Sequence, residues 1–134
     1  MSEENVESVR RITDAQNRGD RAAWLANTHP DVVMIPAREW PENAPIRGAE
    51  AIWDFYGEVG GTWEAGSFEL AEIIDSGADA VAANLRRQTR GKASGVGVDF
   101  NYWVVTTHRK GKTARIEWFS NRAEALEAAG LSES

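Results

Sequence analysis

Residues Gly95–Leu131 read GVGVDFNYWVVTTHRKGKTARIEWFSNRAEALEAAGL. Side chains along a strand alternate between two faces, and this stretch divides on that period. From Val98, one face carries Val98, Phe100, Tyr102, Val104 and Thr106, and the other Asp99, Asn101, Trp103 and Val105. After a tight turn at Arg109 to Lys112, a second strand sets Ala114, Ile116, Trp118 and Ser120 against Arg115, Glu117 and Phe119. Asn121, with Glu124 three residues on, starts a helix that Gly130 stops. The stretch is therefore an antiparallel hairpin with a short closing helix. Its more apolar face, the one carrying Tyr102 and Trp118, points inward.

Upstream, Phe68 to Asp75 and Ala80 to Thr89 read as two more strands around a Ser76-Gly77 turn. In the second of these, Val81, Ala83, Leu85 and Arg87 alternate with Ala82, Asn84, Arg86 and Gln88, and the first set is placed inward. The change of period falls at Trp63. Before it, Ile52, Phe55, Tyr56 and Val59 recur at helical spacing, which predicts a helix over Gly48 to Val59 ended by Gly60-Gly61. Pro36 to Arg47 holds three prolines with Arg38, Glu39 and Trp40, and is a loop long enough to act as a lid. Asp31 to Ile35 follows His29-Pro30 as a strand. The chain opens with a helix carrying Val6, Val9 and Ile12, stopped at Asn17-Arg18-Gly19, and then a shorter one that Asp20 caps and that carries Trp24 and Leu25. Helices segregated from a run of strands predict an α+β domain rather than alternating β-α units.

The 134 residues suit one domain, 1–134, with a real core. A composition of 42% hydrophobic and 27% charged residues is globular, and no apolar run is long enough to cross a bilayer. The acidic start MSEENVESVRR does not have the form of a signal peptide. The lack of cysteine leaves no disulfide or thiolate chemistry and suits a cytoplasmic location. A net charge of -6 argues against nucleic acid or an anionic membrane as partner. His29 and His108 are far apart with no spaced third ligand, so no metal site is expected. Gly91, Gly95 and Gly97 do not join a strand to a helix and form no phosphate loop. Arg86, Arg87, Arg90 and Lys92 read as a solvated guard on a strand edge.

His29-Pro30-Asp31-Val32, Arg47-Gly48-Ala49-Glu50-Ala51-Ile52, Ser94-Gly95-Val96, Gly111-Lys112 and Asn121-Arg122-Ala123-Glu124-Ala125-Leu126 with Gly130-Leu131 together resemble the SnoaL-like polyketide cyclase branch of the nuclear transport factor 2-like superfamily. The resemblance runs over roughly residues 5 to 131. It implies a curved antiparallel sheet wrapped around N-terminal helices into a cone with an internal cavity. Opposite the sheet, Trp24 and the Ile52, Trp53 and Tyr56 stripe would line that cavity. With Met34, Tyr102, Trp118 and the cation of Arg87 they would form an aromatic site for a small apolar or aromatic ligand.

The resemblance also supplies reactions to test. Ketosteroid isomerase relatives use an Asp base, a Tyr and a protonated Asp; the matching places here hold Pro36, Ile12 and Val104. Limonene epoxide hydrolase relatives use an Asp-Arg-Asp set, matched by Leu85, Arg87 and Trp118. The acid that SnoaL-like cyclases place near the end of the last strand is matched by Asn121. What remains for chemistry is Glu39 on the loop as a base, with Arg87 or Tyr102 steadying negative charge. Two readings therefore stand: a cofactor-free cyclase, isomerase or hydratase, and a non-catalytic ligand-binding or accessory protein. A third is a dimerisation module whose cavity its own side chains fill. The outer face of Trp103, Val105 and Phe119 is apolar, and the superfamily commonly pairs subunits there, so a homodimer is expected.

Overall fold

The computed structural model describes residues 2–60 and 67–131, so Gly61 and Trp63 lie outside the described residues. Helix α1 spans Ser2–Arg18 and ends where Gly19 takes a φ of 67°. Helix α2, Arg21–Ala26, starts on Asp20, whose carboxylate accepts the Ala23 backbone N–H at 3.0 Å. Strand β1 is Thr28–Ile35, three residues longer at its start than the pattern predicts. The following loop ends in a two-residue strand, β2 (Ile46–Arg47), which pairs with Val33 and Met34 and so corrects the expectation of loop throughout. Helix α3 runs Ala49–Gly60. Strands β3 (Glu69–Asp75), β4 (Ala80–Arg90), β5 (Gly97–Arg109) and β6 (Lys112–Phe119) follow, and α4 (Arg122–Ala128) closes the described chain.

The β5–β6 hairpin turns on Lys110 and Gly111, both with positive φ (53° and 77°), the combination that matches the twist of adjoining strands. The positive φ is what calls for glycine at 111, since the nearest atom a side chain there would meet is the movable tip of Glu4. A Cβ on Gly111 would lie 2.7 Å from Oε1 of Glu4, because the start of α1 rests on this turn. At the other end, the N–H of Leu131 reaches the carbonyl of Leu126 and that of Gly130 reaches Glu127, closing α4 through the left-handed Gly130.

The six strands form one sheet in the order β2-β1-β6-β5-β4-β3. It is mixed rather than wholly antiparallel, because β1 and β6 pair parallel. Those two strands belong to opposite ends of the chain, and no hairpin fixes their direction. Helices α1 to α3 pack on the inner face, where Val81, Ala83, Leu85, Val104, Ile116 and Trp118 join Val9, Trp24, Met34 and Ile52 in the main core. The inward frames read for β4 and β5 are those observed. In β6 a bulge sets Thr113 rather than Ala114 opposite His108; Thr113 is buried and Ala114 only half-buried.

The outer face has a core of its own. Ala125, Leu126 and Ala129 of α4 lie over Ala82, Trp103 and Val105, with Phe119 half-buried beside them. Arg122 adds its guanidinium, 5.7 Å from the Trp103 ring centre, and an ion pair to Glu72 on β3. The apolar patch expected to meet a second subunit is thus covered by the chain's own last helix. Among the described residues no helix is long and apolar enough to cross a membrane.

Candidate functional site

The inner face gathers aromatic rings into one continuous arc. Its deep end is Trp24 on α2, fully buried, with Trp53 and Tyr56 of α3 at ring-centre distances of 5.6 and 6.1 Å. Tyr56 stands edge-on to Trp118 of β6 at 6.4 Å. Trp118 meets Phe100 at 6.2 Å, and Phe100 meets Tyr102 at 4.7 Å and Phe68 at 5.1 Å. Arg87 closes the arc, its guanidinium 5.4 Å from the Phe68 ring centre. Tilted and edge-on pairs at these distances are the favoured arrangements of aromatic rings, each adding about 0.5–1.5 kcal/mol beyond burial.

Backbone geometry explains why these residues meet. Leu85 and Arg87 on β4 lie opposite Tyr102 and Phe100 on β5, and Val104 opposite Trp118 on β6, so one register aligns all of them on one face. Phe68 is held from outside the sheet. Asn17, at the end of α1, donates its side-chain N–H to the Phe68 carbonyl at 3.0 Å and accepts the Phe68 N–H at 2.8 Å. The asparagine that ends a helix in the sequence therefore also fixes the first residue before β3.

The loop after β1 contributes Trp40 rather than Glu39. Trp40 packs on Tyr102 at 5.2 Å and on Trp118 at 5.5 Å, while Glu39 is exposed. Pro36 and Ala37 are buried, and Arg38 reaches α4 to pair with Glu124 at 2.9 Å. The loop is thus anchored just ahead of the tryptophan it turns inward, and β2 holds its far end against β1. The Arg38–Glu124 pair is surface-exposed, and such pairs contribute about 0–1 kcal/mol.

Of the residues read as site candidates, Trp24, Met34, Trp53, Tyr56, Tyr102, Trp118 and Arg87 lie in or against the inner core. Glu39 does not join them. Trp40, Phe68 and Phe100 are the rings of the arc that the candidate residues did not include. Phe100 shares the inward face of Tyr102 in the strand pattern, which was signal enough to include it. Trp40 sits in a loop without periodicity and gives no such signal. Asn121, at the place of the cyclase acid, accepts the Glu124 backbone N–H at 2.9 Å as the cap of α4, so its side chain has a structural occupation.

The polar tips within the arc are donors. The indole N–H of Trp118 donates to the phenol oxygen of Tyr56 at 3.3 Å. Burial pushes the Tyr56 phenol above the ordinary tyrosine value, only partly opposed by that hydrogen bond, so it stays protonated. Among the described residues the indole N–H of Trp24 is buried without a partner. Asp31, Glu39, Asp54 and Glu58 are all exposed, and among the described residues no three His, Asp or Glu side chains come together as metal ligands. The arrangement therefore joins apolar ring surface to a few hydrogen-bond donors. It brings no described carboxylate to the rings.

Comparison with known proteins places the chain. Its fold matches an NTF2-like protein from Burkholderia xenovorans LB400, with 25% identity, a TM-score of 0.77, and coverage of 96% of this chain and 97% of that one. A structure named as a SnoaL-like polyketide cyclase from Jannaschia sp. CCS1 is 21% identical with a TM-score of 0.78, covering 96% and 92%. TerC, co-crystallized with polyporic acid, is 20% identical with a TM-score of 0.75, covering 95% and 98%. Among curated proteins none matches the sequence. The SnoaL-like domain model matches residues 9–116, from within α1 into β6, and the chain therefore belongs to the SnoaL-like domain family.

Proposed function

We propose that this protein encloses a flat, largely apolar small molecule against the aromatic arc of its inner face. The observation that carries the reading is the run of rings from Trp53 to Phe68, tipped by the donors of Trp24, Tyr56 and Trp118 and by the Arg87 cation. Small-molecule sites are built in this way, mostly from apolar and aromatic side chains with a few placed polar groups. The co-crystal of TerC with polyporic acid supports it from a relative of the same fold.

As an enzyme, the protein would carry out a cofactor-free cyclisation, isomerisation or hydration. Arg87 and Tyr102 would steady developing negative charge, and Glu39 would act as base after swinging inward past Trp40. As an accessory protein, it would hold the same ligand without turnover. The exposure of Glu39, with Trp40 in the inward position, favours the second reading. A homodimer would have to form on the part of the outer sheet face that α4 leaves open, and the cysteine-free composition supports a cytoplasmic location.

Binding to a panel of polycyclic and terpenoid compounds, followed by calorimetry, tests the proposal; no binding by any of them would overturn it. Turnover of a bound compound by wild type, reduced in Glu39→Gln and in Arg87→Ala, would select the enzyme. Equal background rates in all three would select the binding protein.

A further inference from the structure

Strand β5 outruns its neighbour on one side. It pairs with β4 from Gly97 to Thr107, whereas β6 covers it only from Trp103 to Arg109 and ends at Phe119. From Gly97 to Asn101, the backbone groups turned away from β4 therefore face no strand among the described residues. At Tyr102 the carbonyl is already taken by the side-chain N–H of Asn84, at 3.1 Å. A row of unused N–H and C=O groups is a template for a further strand.

Proteins commonly blunt such an edge with proline, lysine or a bulge in the edge strand itself. Gly97-Val98-Asp99-Phe100-Asn101 has none of these, and it pairs with β4 without a shift of register. The cations expected to guard a strand edge stand one strand back: Arg86 and Arg90 on β4, and Lys92 in the turn, are all exposed. Residues 86–102 hold four Lys and Arg against Asp99 alone, a local charge of +3 in a chain of net -6. Asp99 has Arg86 beside it at 3.7 Å. Arg90 lies opposite Gly97, which puts no side chain between that guanidinium and the edge. Its contact with the Gly95 carbonyl, at 3.4 Å, keeps it at this end of the ribbon with donors to spare.

We infer that this edge of β5 is a docking site for an extended, acidic segment of a partner protein, which joins the sheet as a further strand. The β5 backbone supplies the hydrogen bonds. Val98, 37% exposed, and Phe100 share the inner face and favour apolar residues at alternate positions of the incoming segment. Arg90 and Lys92 favour carboxylates on it, most of all at the Gly97 end. Charge also selects against a second copy of this chain, which would bring a like-charged ribbon alongside. The inference needs no cavity and is independent of the ligand reading above.

The test uses a dye-labelled hexapeptide alternating glutamate with valine, titrated with the intact chain and followed by fluorescence anisotropy. It should bind, and the same peptide with lysine for glutamate should bind about tenfold more weakly. Arg90→Glu should shrink or reverse that order. Only every second N–H of an added strand faces the sheet. Methylating the amide nitrogens of one alternate set should therefore abolish binding, and methylating the other set should leave it. Amide exchange over Val98 to Asn101 should slow about tenfold when the acidic peptide is bound. No binding of the acidic peptide, equal binding of the lysine peptide, or the same response to both methylated sets would each overturn the inference. These comparisons use wild type, so they decide even if Arg90→Glu fails to fold. Self-association of wild type that the acidic peptide competes away would give the edge to a second copy, and would overturn it as well.

Discussion

The indole N–H of Trp118 donates to the phenol oxygen of Tyr56 at 3.3 Å, joining β6 to α3 across the interior. The pair ties the sheet to the helix that faces it, through groups that are both largely out of water. Replacing Tyr56 by Phe keeps the ring contacts and leaves the Trp118 N–H unpaired, which should cost about 1–2 kcal/mol. For a chain of this size the midpoint of thermal unfolding should fall by roughly 3–6 °C. A scanning melt checks this, and an unchanged midpoint would mean that the hydrogen bond carries no stability.

Trp40 and Glu39 are neighbours with opposite placements, and their variants should differ accordingly. Trp40→Ala removes the ring seated on Tyr102 and Trp118 and should speed ligand dissociation several-fold, in addition to a stability loss of about 1–2 kcal/mol from two lost ring contacts. Glu39→Gln should leave affinity and dissociation rate unchanged, as expected of a solvated side chain. Stopped-flow release of a bound polycyclic compound distinguishes them. A Glu39→Gln effect as large as that of Trp40→Ala would restore Glu39 to the site.

His108 predicts how stability responds to acid. It is 4% exposed, its Nε2 shares a 2.8 Å hydrogen bond with Thr106 Oγ1, and its Nδ1 has no partner among the described residues. Burial lowers its pKa from 6.5 to about 4, although the nearby carboxylates Asp79 and Asp75 act to raise it. The folded protein thus keeps His108 neutral at a pH where the unfolded chain takes up the proton. Its contribution is fully present above pH 6.5 and is lost as the pH falls from 6.5 toward 4. By pH 4.5 the loss should reach about 2 kcal/mol. Urea unfolding at pH 7 and at pH 4.5 should show wild type losing that much more than His108→Gln. Parallel losses would contradict the assignment.

The second core, under α4, sets the behaviour of the outer face. Leu126→Asp places a charge against Trp103 and Val105 and should release the helix, at a cost of several kcal/mol. The uncovered apolar strip should then drive self-association beyond the wild-type state. Light scattering after gel filtration measures both proteins. Wild type at twice the 14.8 kDa chain mass would support the proposed homodimer, and wild type at the chain mass would refute it.

How far these features could be read in advance varied with their physical origin. Caps and turns were legible because their chemistry is local: Asp20, Asn121 with Glu124, and Gly130 each act within a few residues. The faces of β4 and β5 were legible because alternation is a property of a single strand. The bulge that brings Thr113 inward was not, since it appears only when two strands are paired. Nor was the parallel β1–β6 pairing, which joins residues separated by most of the chain. The burial of Trp103 by α4 is similar: Ala125, Leu126 and Ala129 mark an apolar stripe on a helix without naming the surface it will cover. Asn17 was readable as a helix end but not as the clamp on Phe68, which lies 51 positions away.

The six tryptophans provide the most direct test of the central claim. Trp24, Trp40 and Trp118 lie in the aromatic arc, whereas Trp103 lies on the opposite face under α4 and serves as an internal control. Indole N–H resonances in a nitrogen-15 correlation spectrum should be followed as 9-fluorenone is added. The account predicts that the signals of Trp24, Trp40 and Trp118 move together along one saturating curve while that of Trp103 stays in place. Indole signals that all stay fixed, or a Trp103 signal that moves as far as the others, would contradict it.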